Sequence, residues 1–180
     1  MFEARSITAE VTMRILRPED SRFLAEAYQR NREHLAPWKP LRPEEFFTER
    51  FQREDIRRRL AASAAVESLP LALVTDEEII GRLSLAGISR GPFQSAGLGY
   101  WIDKDHQGEG LASLAVQAIL AQARDELGLH RVEASTLVQS VGSQRVLLKN
   151  GFHQIGMAPR YLQIAGRWQD HNLYQVILHD

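Results

Sequence analysis

The sequence predicts an α/β domain with a mixed, mostly antiparallel sheet, one parallel strand pair and about four helices. Three patterns lead there. Residues 71–103 hold three strand-length apolar runs separated by turn signals. Residues 110–127 carry a long helical pattern closed by Gly128 and followed by a strand-like run at 131–137, the length of a right-handed parallel crossover. Residues 152–178 read as two strands broken once, at Ala165-Gly166.

Taken in order, residues 1–12 are short on apolar periodicity and are expected to be a poorly ordered extension, with one domain spanning 13–180. A first strand over 13–17 stops at Pro18, after which Glu19 and Asp20 open a helix with Leu24, Ala27, Tyr28 and Leu35 at helical spacing. Pro37 and Pro40 end it. Pro43 suits the first turn of a second helix over 43–63, with Phe47, Phe51, Ile56 and Leu60 on its apolar side. Strands follow at 71–75 and 78–88, joined by Asp76-Glu77, and a third at 95–103 comes after Gly91-Pro92. The helix over 110–127, the strand over 131–137 and a short helix over 141–149, capped by Asn150-Gly151, precede the final hairpin.

At 180 residues the chain can bury a core without staples, and its complete lack of cysteine excludes thiol nucleophiles, cysteine-ligated metals and disulfides. Lys plus Arg total 22 and Asp plus Glu 23, so no basic field invites direct nucleic-acid binding. No apolar stretch reaches the roughly 20 residues of a membrane span, and the start does not resemble a signal peptide. A cytoplasmic location is therefore expected, with no membrane partner. The 6 histidines show no short-range ligand spacing, so no metal is expected.

The stretch Gly99-Tyr100-Trp101-Ile102-Asp103-Lys104-Asp105-His106-Gln107-Gly108-Glu109-Gly110-Leu111-Ala112 runs from an apolar strand through two glycines into a helix. Glycine permits close backbone approach, and the first N–H groups of a helix lack intrahelical partners at the positive end of its dipole. Such a junction holds a phosphate. It lacks the third glycine of a dinucleotide fingerprint and the lysine of a P-loop, so the phosphate belongs to another cofactor.

Gln107-Gly108-Glu109-Gly110-Leu111-Ala112 resembles the Q/R-x-x-G-x-G/A signature of the GNAT N-acetyltransferases. Asn31-Arg32-Glu33-His34-Leu35-Ala36-Pro37-Trp38-Lys39-Pro40, Leu98-Gly99-Tyr100-Trp101-Ile102, the stretch 143–152 and Gly166-Arg167-Trp168-Gln169-Asp170-His171 are similar to the RimJ/RimL branch, which acetylates N-terminal amines of ribosomal proteins. The resemblance implies the GNAT fold, whose parallel strand pair splays apart, and acetyl-CoA as acetyl-donor cosubstrate. It places the pantetheine arm on the backbone of Tyr100, Trp101 and Ile102. The pyrophosphate falls on Gln107, Gly108, Glu109, Gly110, Leu111, Ala112 and Ser113, and the thioester end beside Ser140 and Ser143. Ser140 stands where the family usually has asparagine. Ser143 is the expected proton donor to the leaving thiolate, and Trp38, Trp168 and Asp170 are the expected acceptor contacts. Glu109, Glu133 and Asp170 are the carboxylates in range to act as base, with none singled out.

The acceptor implied is a protein N-terminus, such as that of a ribosomal protein. An α-amine with pKa near 8 costs about 1.4 kcal/mol to deprotonate at pH 7, against about 4.6 for a lysine. The alternatives are a small amine, such as an antibiotic or polyamine, and a CoA-binding regulatory domain without turnover. Oligomeric state is open between monomer and homodimer.

Overall fold

In the computed structural model, which describes residues 3–76 and 78–180, eight strands follow one another along the chain. They are β1 (Arg5–Ser6), β2 (Thr12–Ile15), β3 (Ser68–Val74), β4 (Ile79–Ser89), β5 (Ser95–Ile102), β6 (Arg131–Leu137), β7 (His153–Ile164) and β8 (Arg167–Ile177). Five helices join them: α1 (Ser21–Arg30), α2 (Arg32–Leu35), α3 (Glu49–Ala64), α4 (Leu111–Asp125) and α5 (Val141–Lys149). The strands form one sheet in the order β1-β2-β3-β4-β5-β6-β8-β7, antiparallel throughout except for β5 against β6. Among the described residues no helix is long and apolar enough to cross a membrane.

Strand alternation sorts the apolar side chains onto two faces. Leu71 and Leu73 of β3 and Leu98 and Ile102 of β5 meet α4, whose Ala115, Val116 and Ile119 recur at helical spacing and are fully buried. Each large side chain so buried contributes about 1.5–3 kcal/mol. Ala72, Ile79 and Trp101 point the opposite way and pack on Leu24 and Ala27 of α1 and Ile56 of α3.

The element order agrees with the expectation, and the differences have local causes. The first helix does not run to Pro37; it breaks at Asn31 (φ −100°, ψ 10°) because the Asn31 amide donates back to the Ala27 carbonyl and across to Asp103. That break makes α2 a fifth helix. The second helix begins at Glu49, since Thr48 turns extended and its hydroxyl accepts from the Phe51 N–H, leaving residues 44–47 as a separate 3-10 turn. Arg5 and Ser6, within the expected extension, pair with Met13 and Thr12, and Val11 is buried. Residues 1 and 2 of that extension, and Glu77 of the expected 76–77 turn, lie outside the described residues.

Candidate active site

β5 and β6 pair over only three positions, Ser95 with Arg131, Ala96 with Val132 and Gly97 with Glu133, after which they part. β6 stays paired to β8 as far as Leu137, and β5 stays paired to β4 as far as Ile102. The opening therefore lies between two intact half-sheets. Asp103 N–H donates to the Ile80 carbonyl, at 2.8 Å, so the pair opposite Ile80 is a hydrogen-bonded one. Antiparallel ladders alternate, which turns the backbone groups of Leu98, Tyr100 and Ile102 toward the opening and those of Gly99 and Trp101 toward β4. Of the expected backbone contacts, Tyr100 and Ile102 thus face the gap. Trp101 presents its peptide to Arg82 and its indole to the opposite face of the sheet.

The chain leaves β5 through a knot centred on Asp103, whose side chain is 1% exposed. Its carboxylate accepts from Arg30 Nε at 2.8 Å, Asn31 Nδ2 at 2.7 Å and the Asp105 N–H at 3.0 Å. Burial pushes the Asp103 pKa up, but the bonds from Asp105, Asn31 and Arg30 outweigh it and hold the carboxyl below its usual value. The Lys104 N–H donates to Asn31 Oδ1, so α1 and the loop are tied at two points. Gln107 reaches His34 of α2 at 2.7 Å.

Gly108 (φ 83°) and Gly110 (φ 78°) both adopt the left-handed region, and a β-carbon at either would meet no protein atom within 4 Å. Conformation and open space in front of the loop, not internal packing, are what call for glycine. The first helical bond of α4 is Leu114 N–H to the Gly110 carbonyl, so the N–H groups of its first turn, Leu111, Ala112 and Ser113, have no intrahelical acceptor. These donors stand at the positive end of a 15-residue helix, behind two glycines whose open side is free of protein atoms, an arrangement suited to a pyrophosphate. Glu109 leans toward His106, at 3.5 Å, and Ser113 accepts from Asn150 of α5.

Tyr100 and Ser143 meet across the opening, their hydroxyls 2.8 Å apart. Burial, opposed by the bond to Ser143, raises the Tyr100 phenol to about 12, so it stays protonated at neutral pH. Ser140 precedes α5 (φ −81°, ψ 64°) without capping it through its side chain.

On the other face of the sheet a cavity of about 350 Å³ lies between α1, the segment 35–47 and strands β4 and β5. It reaches β5 at Gly99, Tyr100 and Trp101, the stretch that β6 has left. Tyr28 and Phe46 stack edge to face in its wall, with centroids 4.7 Å apart. Lys39, Arg42 and Arg82 line it too, and the Lys39 ammonium is lowered to about 8 by burial and then by the charges of Arg82 and Arg42. The Ala165 N–H donates to the Lys39 carbonyl, which joins the tip of the β7–β8 hairpin to this wall.

Trp38, Trp168 and Asp170 are not among the cavity walls. Trp38 is half-exposed on a 3-10 turn; Trp168 and Asp170 line a shallow groove with Val138 and Gln139 on the hairpin. The Asp170 carboxylate accepts from the Arg160 N–H, steadying the left-handed Arg160 (φ 49°) in a bulge of β7. Glu133 lies 3.5 Å from Arg131. The cavity cations escaped the sequence reading, although Arg82 inside the apolar run Ile79-Ile80-Gly81-Arg82-Leu83 was a visible signal.

A family model described as the acetyltransferase (GNAT) domain matches residues 10–153. The Bacillus subtilis protein named Probable N-acetyltransferase YjcK is 35% identical over 149 residues, covering 82% of each chain. The crystal structure of ribosomal-protein-S5-alanine acetyltransferase from Vibrio fischeri is similar with a TM-score of 0.95 at 30% identity, over 99% of this chain and 98% of that one. RimJ of Mycobacterium smegmatis, solved in complex with CoA-disulfide, is similar with a TM-score of 0.89 at 27% identity, over 93% of this chain and 81% of its own.

Proposed function

The chain belongs to the GNAT acetyltransferase family and is an acetyl-CoA-dependent N-acetyltransferase; from that premise we propose that its acceptor is the N-terminal α-amine of a protein, a ribosomal protein being the precedent among its relatives. The observation that carries the reading is the meeting of two spaces at one stretch of β5. The opening toward β6 receives the backbone of Tyr100 and Ile102 from one side, and the cavity reaches Gly99, Tyr100 and Trp101 from the other.

Acetyl-CoA supplies an activated thioester. In the proposed mechanism the N–H groups of residues 108–113 hold its pyrophosphate, and the peptide groups of Tyr100 and Ile102 pair with the amides of its arm as a neighbouring strand would. The acceptor nitrogen forms a bond to the acetyl carbon, the carbon–sulfur bond breaks, and the amine loses a proton while the thiolate gains one. In this mechanism the Tyr100 phenol is the donor of the pair and Ser143 Oγ the acceptor, which leaves the Ser143 proton free to be given to the thiolate, whose pKa of roughly 8.5 asks for only modest help.

Cationic walls favour the neutral form of an entering amine, because Lys39, Arg42 and Arg82 repel an ammonium. An α-amine then arrives with its lone pair free and needs only a weak base. The same walls oppose a polyamine or a polycationic antibiotic, which carry further positive charges. Action on protein N-termini would place the enzyme in the cytoplasm.

The test follows CoA thiol release with panels of peptides and small amines, using N-acetylated peptides as blocked controls. Turnover of free-amine peptides alone is expected. Preferential turnover of polyamines would overturn the acceptor assignment, and CoA binding with no turnover on any amine would point to a regulatory domain.

A further inference from the structure

The cavity that faces the acceptor is charged in one sense only. Five of its lining side chains are cations, and none is a carboxylate. Two of the five are neutralised from outside: Arg32 pairs with Glu44, and Arg59 with Asp55 at 2.6 Å. Among the described residues Lys39, Arg42 and Arg82 have no carboxylate within 4.0 Å. The Arg42 guanidinium lies over the Phe46 ring at 4.6 Å, and Arg82 donates to the Tyr28 hydroxyl at 3.0 Å.

Arg82 is 7% exposed, and its Nε is buried with no acceptor; so is the indole Nε1 of Trp101, also 7% exposed. These residues are register partners on β4 and β5, so their side chains stand side by side on the cavity face. The cavity thus gathers three cations without a carboxylate partner, beside two buried N–H groups that have no acceptor. Of the three cations Arg82 is buried, Lys39 half-buried and Arg42 exposed; burying a cation without a counter-charge costs several kcal/mol, a cost the fold sustains at Arg82. Their mutual repulsion is the second cause of the lowered Lys39 pKa.

We propose that this cavity is an anion-recognising subsite for the acceptor: it binds the side-chain carboxylate of an Asp or Glu close behind the N-terminal amine, held by Lys39, Arg42 and Arg82. The inference rests on the protein N-terminus being the acceptor. A volume of about 350 Å³, at the lower end of ordinary ligand sites, suits the first residues of a chain. Arginine and lysine pair with carboxylates through charge-assisted hydrogen bonds, and Tyr28 and Phe46 supply apolar walls for the rest of each side chain. The acceptor's charge supplies the missing counter-charge, most of all to the buried Arg82. An amide of the same shape cannot do this.

The experiment compares C-terminally amidated peptides that differ only by Asp against Asn, or Glu against Gln, at the second and third positions. Acidic peptides are expected to show kcat/KM about tenfold higher or more, chiefly through KM. In Arg42→Gln and in Lys39→Met, each checked for folding by thermal melting, the ratio is expected to fall to within about threefold. Equal turnover of acidic and amide peptides by the wild-type enzyme overturns the subsite and leaves peptide acetylation standing. A preference that survives in both variants overturns it as well. If no peptide of either kind is acetylated, the acceptor reading itself fails and takes the subsite with it.

Discussion

Replacing Lys39 by methionine should make the protein more stable while making it a poorer enzyme for acidic acceptors. The folded state lowers the Lys39 pKa from 10.5 to about 8. Each unit is worth about 1.4 kcal/mol, so at neutral pH the charged side chain costs the folded state up to about 3 kcal/mol. Methionine keeps the apolar stem and removes the charge, and the Lys39 carbonyl still accepts from Ala165 because that bond is backbone. A gain of about 2–3 kcal/mol would raise the melting temperature of a chain this size by roughly 4–12 °C. The sign with pH is fixed by linkage: between pH 8 and 10.5 the unfolded chain holds the Lys39 proton and the folded chain does not, so wild-type stability from this group rises with pH. The stability gap between variant and wild type should therefore be full below pH 8 and close as pH rises to 10.5. Urea melts of both proteins at several pH values measure it, with other titrating groups cancelling in the difference. A gap that does not change with pH, or a less stable variant at pH 7, would refute the assignment of a desolvated cation to this cavity.

Other perturbations address the remaining parts of the site. Ser143→Ala is expected to lower kcat by roughly 100-fold while CoA affinity, measured by calorimetry, changes less than about threefold; unchanged turnover would remove Ser143 as the proton donor. Gly110→Glu forces a β-carbon into the left-handed region and sets a carboxylate against the pyrophosphate, so CoA affinity should fall by about 100-fold or more in a protein that still folds, since no protein atom lies within 4 Å. Asp103→Asn breaks the knot with Arg30 and Asn31 and should cost about 3 kcal/mol in urea melts. Because the folded Asp103 pKa lies below 3.8, its contribution is complete above that pH and is lost as acid titrates through the lower folded value, so acid unfolding should be flatter in the variant.

What could be read in advance was whatever the chain states locally. The loop after β5 was legible because two glycines between an apolar strand and a long helix have few structural meanings, and both take left-handed angles. The crossover was legible because its helix is too long to join adjacent antiparallel strands. The break at Asn31 was not, since its cause is a carboxylate 72 residues away. Nor was the start of α3, where Pro43 and Thr48 offer competing caps and Thr48 makes the bond. The cationic cavity was the least legible part: Lys39 and Arg82 lie on different elements, and only the packing of α1 against β4 turns separate basic residues into one field. Tyr100 was expected to serve through its backbone, and its hydroxyl proved to meet Ser143.

Three residue pairs are all that stitch β5 to β6, so the sheet behaves mechanically as two leaves on a short spine. An extended ligand laid in the crease adds the rungs the protein omits, making each round of turnover a cycle of binding and unbinding the book. Amide exchange in β6 and β8 should slow when CoA is present and quicken when it leaves, even at residues that never touch it.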